Sequence, residues 1–462
     1  MTANWRNRTL WTGDNLDIMR GMNGESVDLI YLDPPFNSNR DYAAPIGSEA
    51  AGAAFKDTWT LSDVDEAWHG EVADRQPALY SIIDAAGMAH GLGMKSYLIM
   101  MAVRLLEMQR LLKPTGSIYL HCDPTASHYL KMLMDSIFGA GRFRNEVVWE
   151  RAGPKSLASR RLPRNHDLIL SYEASDKAFW NERAAFVPYD MAALDAKTMQ
   201  QYSHVEEGTR RRYQLDNLVN PNKDRPNLTY EFLGVHRVWR WTRERMEAAY
   251  AEGRVVQTAP GNVPRLKRYL DEQRGRPLGS VWTDVAISTN KEMTGYPTQK
   301  PLDLLDRVIQ LASNEGDTVL DPFCGCATAL VAADRLNREW AGIDLSPLAA
   351  RLVLKRLRED RGPLFDDVHH REDVPVRTDL GELPNYRTHK HTLYGRQEGI
   401  CAGCQVLFPF RNMTVDHIVA RSRGGQDHIE NLQLLCGACN SMKGAESQEY
   451  LVARLKAEGI RS

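Results

Sequence analysis

The chain has 462 residues, 43% of them apolar and 26% charged, with a formal net charge of -2. That length is more than one hydrophobic core normally serves and predicts two or three domains, while no apolar run approaches the roughly 18 residues of a helical membrane span, which argues against a membrane protein. The near-neutral total argues against a chain that coats nucleic acid along its whole length, yet residues 151–280 hold 23 Lys and Arg against 16 Asp and Glu, enough for a locally basic face. The opening MTANWRNRTLWTGDN has no apolar core of secretory type, so a cytoplasmic location is expected.

In chain order, VDLIYL at 27–32 reads as a buried strand that ends on Asp33, followed by Pro34 and Pro35, neither of which has an N–H to donate. Leu98, Met101, Leu105, Met108 and Leu112 recur at three- and four-residue spacing and predict one apolar helix face. KPTG then predicts a turn, through Pro114 and Gly116, into the strand GSIYLHCD at 116–123. Pro-, Arg- and Asn-rich stretches such as RAGPKSLASRRLPRNH and NPNKDRPN make most of 150–290 an insert with irregular loops. TQKPLDLLDRVIQLAS returns to α/β grammar, with Pro301 suited to the first turn of a helix. DTVLDPFCG is a strand entering a glycine turn, a helix over 327–337 follows, and EWAGIDLS is the next strand. Residues 358–385, charged and without periodicity, predict a linker in which His369 and His370, like His389 and His391 just beyond it, are solvated.

A buried strand, an acidic residue at its carboxyl end, a glycine turn and a helix together form the crevice in which doubly wound sheets bind adenosine cofactors. Gly325 lets backbone approach such a ligand, and the next strand ends on Asp344, about 20 residues on, where a carboxylate commonly takes ribose hydroxyls. Taken alone, so short a stretch is equally consistent with plain architecture. DPPF together with DPFCG, however, resembles the amino-group DNA methyltransferases, which bind S-adenosylmethionine at an F-x-G-x-G strand end and the target base at a D/N/S-P-P-Y/F strand end. The order here, catalytic stretch first and cofactor stretch last with the basic insert between, matches the circularly permuted β group over about residues 1–357. Ala327 stands where the third glycine is usual, and Phe36 where Tyr is commoner.

The resemblance implies an α/β fold, a doubly wound and mostly parallel sheet with an inserted target-recognition region. It implies cofactor contacts from Asp14 in TGDNLDIM, from Thr298, Gln299, Lys300 and Pro301 near the methionine part, and from Asp321, Phe323, Gly325 and Asp344. It also implies a catalytic set of Asp33, Pro34, Pro35 and Phe36, which suits the chemistry. An exocyclic amine is a poor nucleophile because its lone pair is delocalised into the ring; the Asp33 carboxylate and the Pro34 carbonyl would accept its two N–H bonds and stabilise the charge gained in attacking the sulfonium methyl. The prolines keep those acceptors fixed, and Phe36 offers a face to a base that has left the duplex. DPPF in this family goes mostly with adenine N6, with cytosine N4 the alternative, and RNA or a protein amide as substrate stays open. In RVWRWTRERM, 237–246, four arginines interleave with Trp239 and Trp241, a pattern equally consistent with phosphate and base contacts or with a strand whose tryptophans fill a core.

Of seven cysteines, Cys122, Cys324 and Cys326 are scattered, whereas Cys401/Cys404 and Cys436/Cys439 form two C-x-x-C pairs that can close a tetrahedral thiolate shell around structural zinc. A small domain of this kind needs the folding energy that a metal supplies. Within that frame VDHIVARSRGG, ENLQLL and CNSMK resemble the HNH endonucleases with their ββα-metal site. By that resemblance Asp416 and Asn440 hold Mg²⁺ or Mn²⁺, His417 is the general base, and Asn431 orients the His-bearing loop.

The expected organisation is a catalytic half at 1–150, a target-recognition insert at 151–290, a cofactor half at 291–357, a linker at 358–385 and a small zinc-stapled ββα-metal domain at 386–462. The expected activity is sequence-specific adenine-N6 methylation of DNA joined to HNH cleavage, as in a single-chain restriction-modification enzyme. The rival is a zinc module that only binds DNA. Double-stranded DNA is the expected partner, no membrane is, and a homodimer is left open.

Overall fold

Nine strands form the central sheet: β1 Thr9–Thr12, β2 Val27–Leu32, β3 Leu112–Cys122, β4 Phe143–Glu150, β5 His166–Glu173, β6 Val281–Trp282, β7 Thr318–Asp321, β8 Glu339–Asp344 and β9 His369–Arg371. Their order is β6-β4-β5-β3-β2-β7-β8-β1-β9. All neighbours run parallel except β5, which is antiparallel to both β3 and β4, so the sheet is mixed. The computed structural model describes residues 2–35, 76–153, 162–286, 299–380 and 385–461, with backbone alone at 41–43 and 54–56. It divides into two compact units, Met1–Asn181 with Gly279–Ser462, and Glu182–Leu278.

Every residue of β2 is buried, as expected of a central strand covered on both faces. One cover is α3, Leu92–Leu111, whose Leu98, Met101, Leu105 and Met108 enter the core with α2, Pro77–His90, and α4, Ser127–Phe138. The KPTG stretch does not stand between helix and strand as a separate turn. The helix ends at Leu111 and β3 starts at once, with the register against β2 jumping from Val27 opposite Leu112 to Leu29 opposite Ser117. Residues 113–116 are thus absorbed as an irregularity inside the strand, where Pro114 has no N–H to give the ladder.

Helix α5, Leu302–Ala312, begins after Pro301 as its N-cap residue and buries Leu304, Leu305, Val308 and Ile309. Helix α6 is Thr328–Arg335, shorter than expected at both ends, because Ala327 is its N-cap residue in the left-handed region at φ 59° and Leu336 closes it. A residue with a Cβ gives up roughly 1 kcal/mol in that conformation, which explains why glycine is the usual occupant. Helix α7, Pro347–Arg361, runs beyond residue 357, and β9 pairs with β1 on the sheet's edge, so residues 358–361 and 369–371 of the expected linker have regular structure. His370 there shares a hydrogen bond with Thr12 Oγ1 at 2.9 Å.

The following strap, 374–379, lies on the turn after α1, Asn15–Gly21. Asn4 Nδ2 donates to Val376 O at 2.7 Å, Asn23 Nδ2 to Thr378 Oγ1 at 2.8 Å, and Gly24 N to Asp379 Oδ2 at 2.8 Å. Despite its burial the Asp379 carboxyl is held down to about 2 by Arg377 and the Gly24 N–H. At Gly21 a Cβ would stand 2.0 Å from Pro375 O.

Part of the expected insert, residues 166–173, is β5 of the central sheet. The separate unit Glu182–Leu278 is more regular than its loop-rich sequence suggests, with a four-stranded antiparallel sheet, a hairpin of Thr229–Phe232 and Val235–Val238, and a core around Leu218, Tyr230, Phe232 and Trp239. Trp239 is fully buried in that core, whereas Trp241 is partly exposed with the Arg245 guanidinium 4.2 Å from its ring centre. Trp241 packs against the same core from its rim, so both tryptophans of RVWRWTRERM contribute to packing.

Residues 386–461 make a small body of two antiparallel strands, β10 Met413–His417 and β11 Leu432–Cys436, followed by α8, Gly437–Lys443, and α9, Gln448–Ala457. Among the described residues no helix is long and apolar enough to cross a membrane. Gly21→Ala is expected to lift the strap from its seat, because the obstructing atom is backbone and cannot rotate away. Limited proteolysis should then cut faster within 372–385 than in the wild type, and an unchanged rate would contradict the docking.

Candidate active sites

Strands β2 and β7 are hydrogen-bonded parallel neighbours, with Val319 opposite Leu29 and Leu320 opposite Ile30, so Asp33 and Asp321 leave the sheet at the same edge. The next strands continue the row: Thr12 of β1 pairs with Asp344 of β8, and Gly13 N donates to Asp344 O at 3.0 Å. Asp14, Asp33, Asp321 and Asp344 thus occupy adjacent strand tips.

Lys300 Nζ donates to Asp33 Oδ2 at 2.6 Å, and the lysine is buried. Asp33 Oδ1 is also buried and has no hydrogen-bond partner among the described residues. Such an acceptor costs about 1–3 kcal/mol, which an incoming N–H donor would recover. Pro34 is buried and Pro35 partly so. Phe36 and Thr298 lie outside the described residues. Gln299 is partly exposed and Pro301 buried at the start of α5, so the backbone carrying Lys300 is anchored by that helix's apolar face.

The Asp321 carboxyl is pushed well above the usual range by burial, and by the charges of Asp33 and Asp344, against one hydrogen bond from Phe323 N at 3.1 Å. Asp344 accepts from Gly325 N at 2.8 Å and Ser346 N at 2.7 Å, yet burial still holds its carboxyl above the usual range. Gly325, at φ 49°, is in the left-handed region and aims its N–H into this corner. Asp14 caps α1, its Oδ1 accepting from Leu16 N at 2.9 Å and from Arg104 Nη2 at 2.9 Å. Arg104 also donates to Asn15 Oδ1 at 2.6 Å, and Asn15 Nδ2 to Pro322 O at 2.7 Å, so one chain of bonds joins Asp14 to the Asp-Pro-Phe turn.

Behind β2 lies a buried polar row: Tyr31 OH is 2.8 Å from His121 Nδ1, and His121 Nε2 is 3.1 Å from Asp167 Oδ2. Burial, and then the charge of Asp33, pushes the Tyr31 hydroxyl well above its ordinary range. Arg104, His121 and Asp167 are absent from the motifs, and Asn15, though within TGDNLDIM, is given no role by the resemblance. A signal existed for Arg104, a lone cation within the buried helix run MMAVRLLEM; none marks which partner it takes.

In the second site the Sγ atoms of Cys401, Cys404, Cys436 and Cys439 all lie within 4.8 Å of one another, and all four residues are buried. Backbone already serves them: Cys436 N donates to Cys401 Sγ at 3.2 Å and Cys439 N to Cys436 Sγ at 3.5 Å. Gly403 is necessary, since a Cβ would stand 2.9 Å from Cys439 Cβ and Sγ. Burial opposes ionisation of Cys401, but N–H groups of Cys436, Cys404 and Gly403 hold its thiol below the ordinary range, while burial and the neighbouring sulfurs push Cys439 up. A dication resolves that conflict, and four sulfurs in this arrangement suit tetrahedral zinc.

Asp416, opposite Gln433 in the β10–β11 ladder, receives Gln433 Nε2 on Oδ2 at 3.0 Å, with Lys443 Nζ 3.1 Å from the same oxygen. Asn440 precedes Lys443 by three residues on α8 and so lies on the same helix face. His417 Nε2 is 2.8 Å from Asp427 Oδ1. The side chain of Asn431 accepts from Val419 N at 2.9 Å and donates to Val419 O at 3.1 Å and Gln426 O at 2.9 Å, holding the loop that follows His417. The sequence pattern did not single out Asp427, Gln433 or Lys443.

Residues 27–355 match the family model described as DNA methylase, and residues 401–446 match that described as HNH endonuclease. The type II methyltransferase M.EcaI of Enterobacter cloacae is 28% identical over 370 residues, 79% of this chain and 72% of that one. The type III restriction-modification enzyme StyLTI Mod subunit of Salmonella typhimurium is 28% identical over 351 residues, 72% of this chain but 50% of that one. A solved putative DNA modification methylase from Thermus thermophilus, complexed with S-adenosyl-L-methionine, is 15% identical with a TM-score of 0.37, covering 79% of this chain and 98% of that one. With the first family model spanning most of its length, this chain belongs to the DNA methylases, and an HNH-type domain follows on the same polypeptide.

Proposed function

We propose that the chain is an adenine-N6 DNA methyltransferase of the circularly permuted group and a DNA endonuclease in one polypeptide, a self-contained restriction-modification enzyme of the cytoplasm acting on duplex DNA. The observation that carries the methyltransferase reading is Asp33: one oxygen held by Lys300, the other buried and without a donor among the described residues, on the strand next to the one bearing Asp321. That oxygen and the Pro34 carbonyl would accept the two N–H bonds of a flipped base, with Pro35 stiffening the turn and Phe36 facing the ring. The cofactor supplies an electrophilic methyl group. Asp14 and Asp344 are suited to its adenosine hydroxyls and amine, Asp321, Phe323 and Gly325 to the crevice wall, and Thr298, Gln299 and Pro301 to its amino-acid end. Lys300, given to the cofactor by resemblance, also donates to Asp33 at 2.6 Å, a contact that would fix the carboxylate's rotation.

Residues 1–150 and 291–357 would form the methyltransferase, with target reading by 151–290. In the carboxyl-terminal module Cys401, Cys404, Cys436 and Cys439 would hold zinc, and Asp416 with Asn440 a Mg²⁺ or Mn²⁺ ion that stabilises charge on a scissile phosphate. His417 would take the proton of the attacking water. One observation favours the rival, a module that binds DNA without cutting: the Lys443 ammonium already lies against the carboxylate of Asp416.

Asp33→Ala is expected to lower methyl transfer from tritiated cofactor to duplex DNA by roughly 10²–10³-fold with cofactor affinity little changed; transfer at the wild-type rate would remove Asp33 from the mechanism. His417→Ala should abolish divalent-metal-dependent nicking of plasmid while methylation continues, and modified-base sequencing of DNA from cells expressing this variant should show methyladenine at one recurring site. Methylcytosine there would decide for the N4 reading, and a wild type that never nicks would decide for the binding module. Chelation of the thiolate-bound metal is expected to unfold 386–461 selectively, seen as protease cleavage within that module before any in the methyltransferase.

A further inference from the structure

We propose that Asp427 is the positioning residue of the nuclease site, holding the His417 ring so that Nε2 carries the hydrogen and Nδ1 is left as the proton acceptor. The inference rests on the nuclease reading of His417 and adds a residue that neither the motif nor the family match assigns.

His417 ends β10 and is 9% exposed. Its backbone carbonyl accepts from the buried Lys443 Nζ at 2.7 Å, and the Tyr386 ring lies 4.9 Å from its own, so backbone and one flank are fixed. The remaining freedom is rotation of the ring about its side-chain bonds. Asp427 removes it: Oδ1 stands 2.8 Å from Nε2. An ionised carboxylate only accepts hydrogen bonds, so the nitrogen facing it must be the protonated one, and in a neutral imidazole the lone pair then belongs to the other nitrogen. A general base requires that lone pair in one fixed direction; the carboxylate–imidazole pairs of hydrolytic triads meet the requirement in the same way.

Asp427 does not reach His417 by accident of a mobile side chain. The nine-residue excursion between them is closed by built contacts. Ile418 N donates to Asn431 O at 2.8 Å, and the Asn431 side chain grips both arms of the loop, at Val419 and at Gln426. Gly424, at φ 89°, ends a short turn over Arg421–Arg423, and at Gly425 a Cβ would stand 1.7 Å from Val419 O, a distance no side chain tolerates. Asp427 is therefore delivered from a pinned backbone two residues after the point of closest approach.

Its carboxylate is itself held. Arg421 Nε donates to Oδ1 at 2.8 Å and Nη2 pairs with Oδ2, a two-pronged grip that presents the carboxylate in one plane. The Arg421 guanidinium, with help from His417 and against burial, keeps the Asp427 carboxyl below its ordinary range. Arg421 in turn lies 4.7 Å from the centre of the Tyr386 ring that flanks His417, which closes the set Tyr386, His417, Asp427 and Arg421 on itself.

The test uses the full-length protein. Asp427→Asn preserves shape but can offer either a donor or an acceptor to Nε2; Asp427→Ala offers neither. Both are expected to lower the turnover of Mg²⁺-dependent plasmid nicking by roughly 10²-fold or more, with KM for DNA within about twofold and zinc content equal to the wild type, and Asp427→Glu should recover part of the loss. Nitrogen NMR of ¹⁵N-histidine-labelled protein, with the His417 signals identified by their absence in His417→Ala, should show the Nε2–H form in the wild type and a mixture in Asp427→Ala. Asp427→Asn nicking at the wild-type rate, or His417 keeping the Nε2–H form in Asp427→Ala, overturns the assignment while leaving His417 as the base. A wild type that does not nick, or a His417→Ala variant that still does, overturns the nuclease reading and this inference with it.

Discussion

Everything at the first site depends on one backbone interaction, the parallel hydrogen bonding of β2 to β7 across nearly 290 residues of sequence. Parallel neighbours end at the same edge, and only for that reason do the DPP and DPFCG turns share a crevice. Had the two strands been antiparallel, the same motifs would lie at opposite edges of the sheet and the acceptor could not meet a cofactor. β8 and β1 extend the row by the same rule, bringing Asp344 and Asp14 to that edge.

Convergence of strand tips has an electrostatic cost. Burial pushes the Asp321 carboxyl upward, and the neighbouring charges of Asp33 and Asp344 add to the shift. Lys300 answers part of that cost, and it is held by the helix start that Pro301 and the apolar face of α5 fix in place. Backbone N–H groups answer another part, from Gly325 and Ser346 to Asp344. The outcome is a corner in which Asp33 and Asp344 are each held by hydrogen bonds from the protein itself, the kind of fixed polar arrangement that stabilises developing charge most.

The HNH-type domain follows the same logic on a smaller frame. Cysteines from two C-x-x-C turns converge at one end of it, and they share a small apolar core with Met413, Val415, Leu432, Leu434, Leu435, Leu451 and Leu455. Nor does it hang on a free tether. Gln426, in the loop that Asn431 grips, donates to Arg377 O at 2.6 Å, and Arg377 belongs to the strap seated on the turn after α1. The loop beside His417 and the helix that begins at Asp14 are thereby members of one hydrogen-bonded body.

Turns with special backbone chemistry were legible in the linear chain, because proline, glycine, paired cysteines and an acid at a strand end act on their immediate neighbours. DPPF, DPFCG, the C-x-x-C pairs and the Asp-His step are of that kind, as are the apolar spacings behind α3 and α5. Pairings between distant side chains were not legible. Nothing local to Lys300 says that it pairs with Asp33, nothing near Arg104 names Asp14, and His417 and Asp427 meet only because Gly425 and Asn431 fold the loop back. The KPTG irregularity and the edge strand β9 were missed for a related reason: sheet neighbours, not intrinsic preference, decide whether a polar stretch becomes strand. The sequence by itself determined which chemistries the chain carries; the tertiary structure alone decided which charged groups face one another, since burial and the strength of an ion pair depend on distances through space that no spacing along the chain encodes.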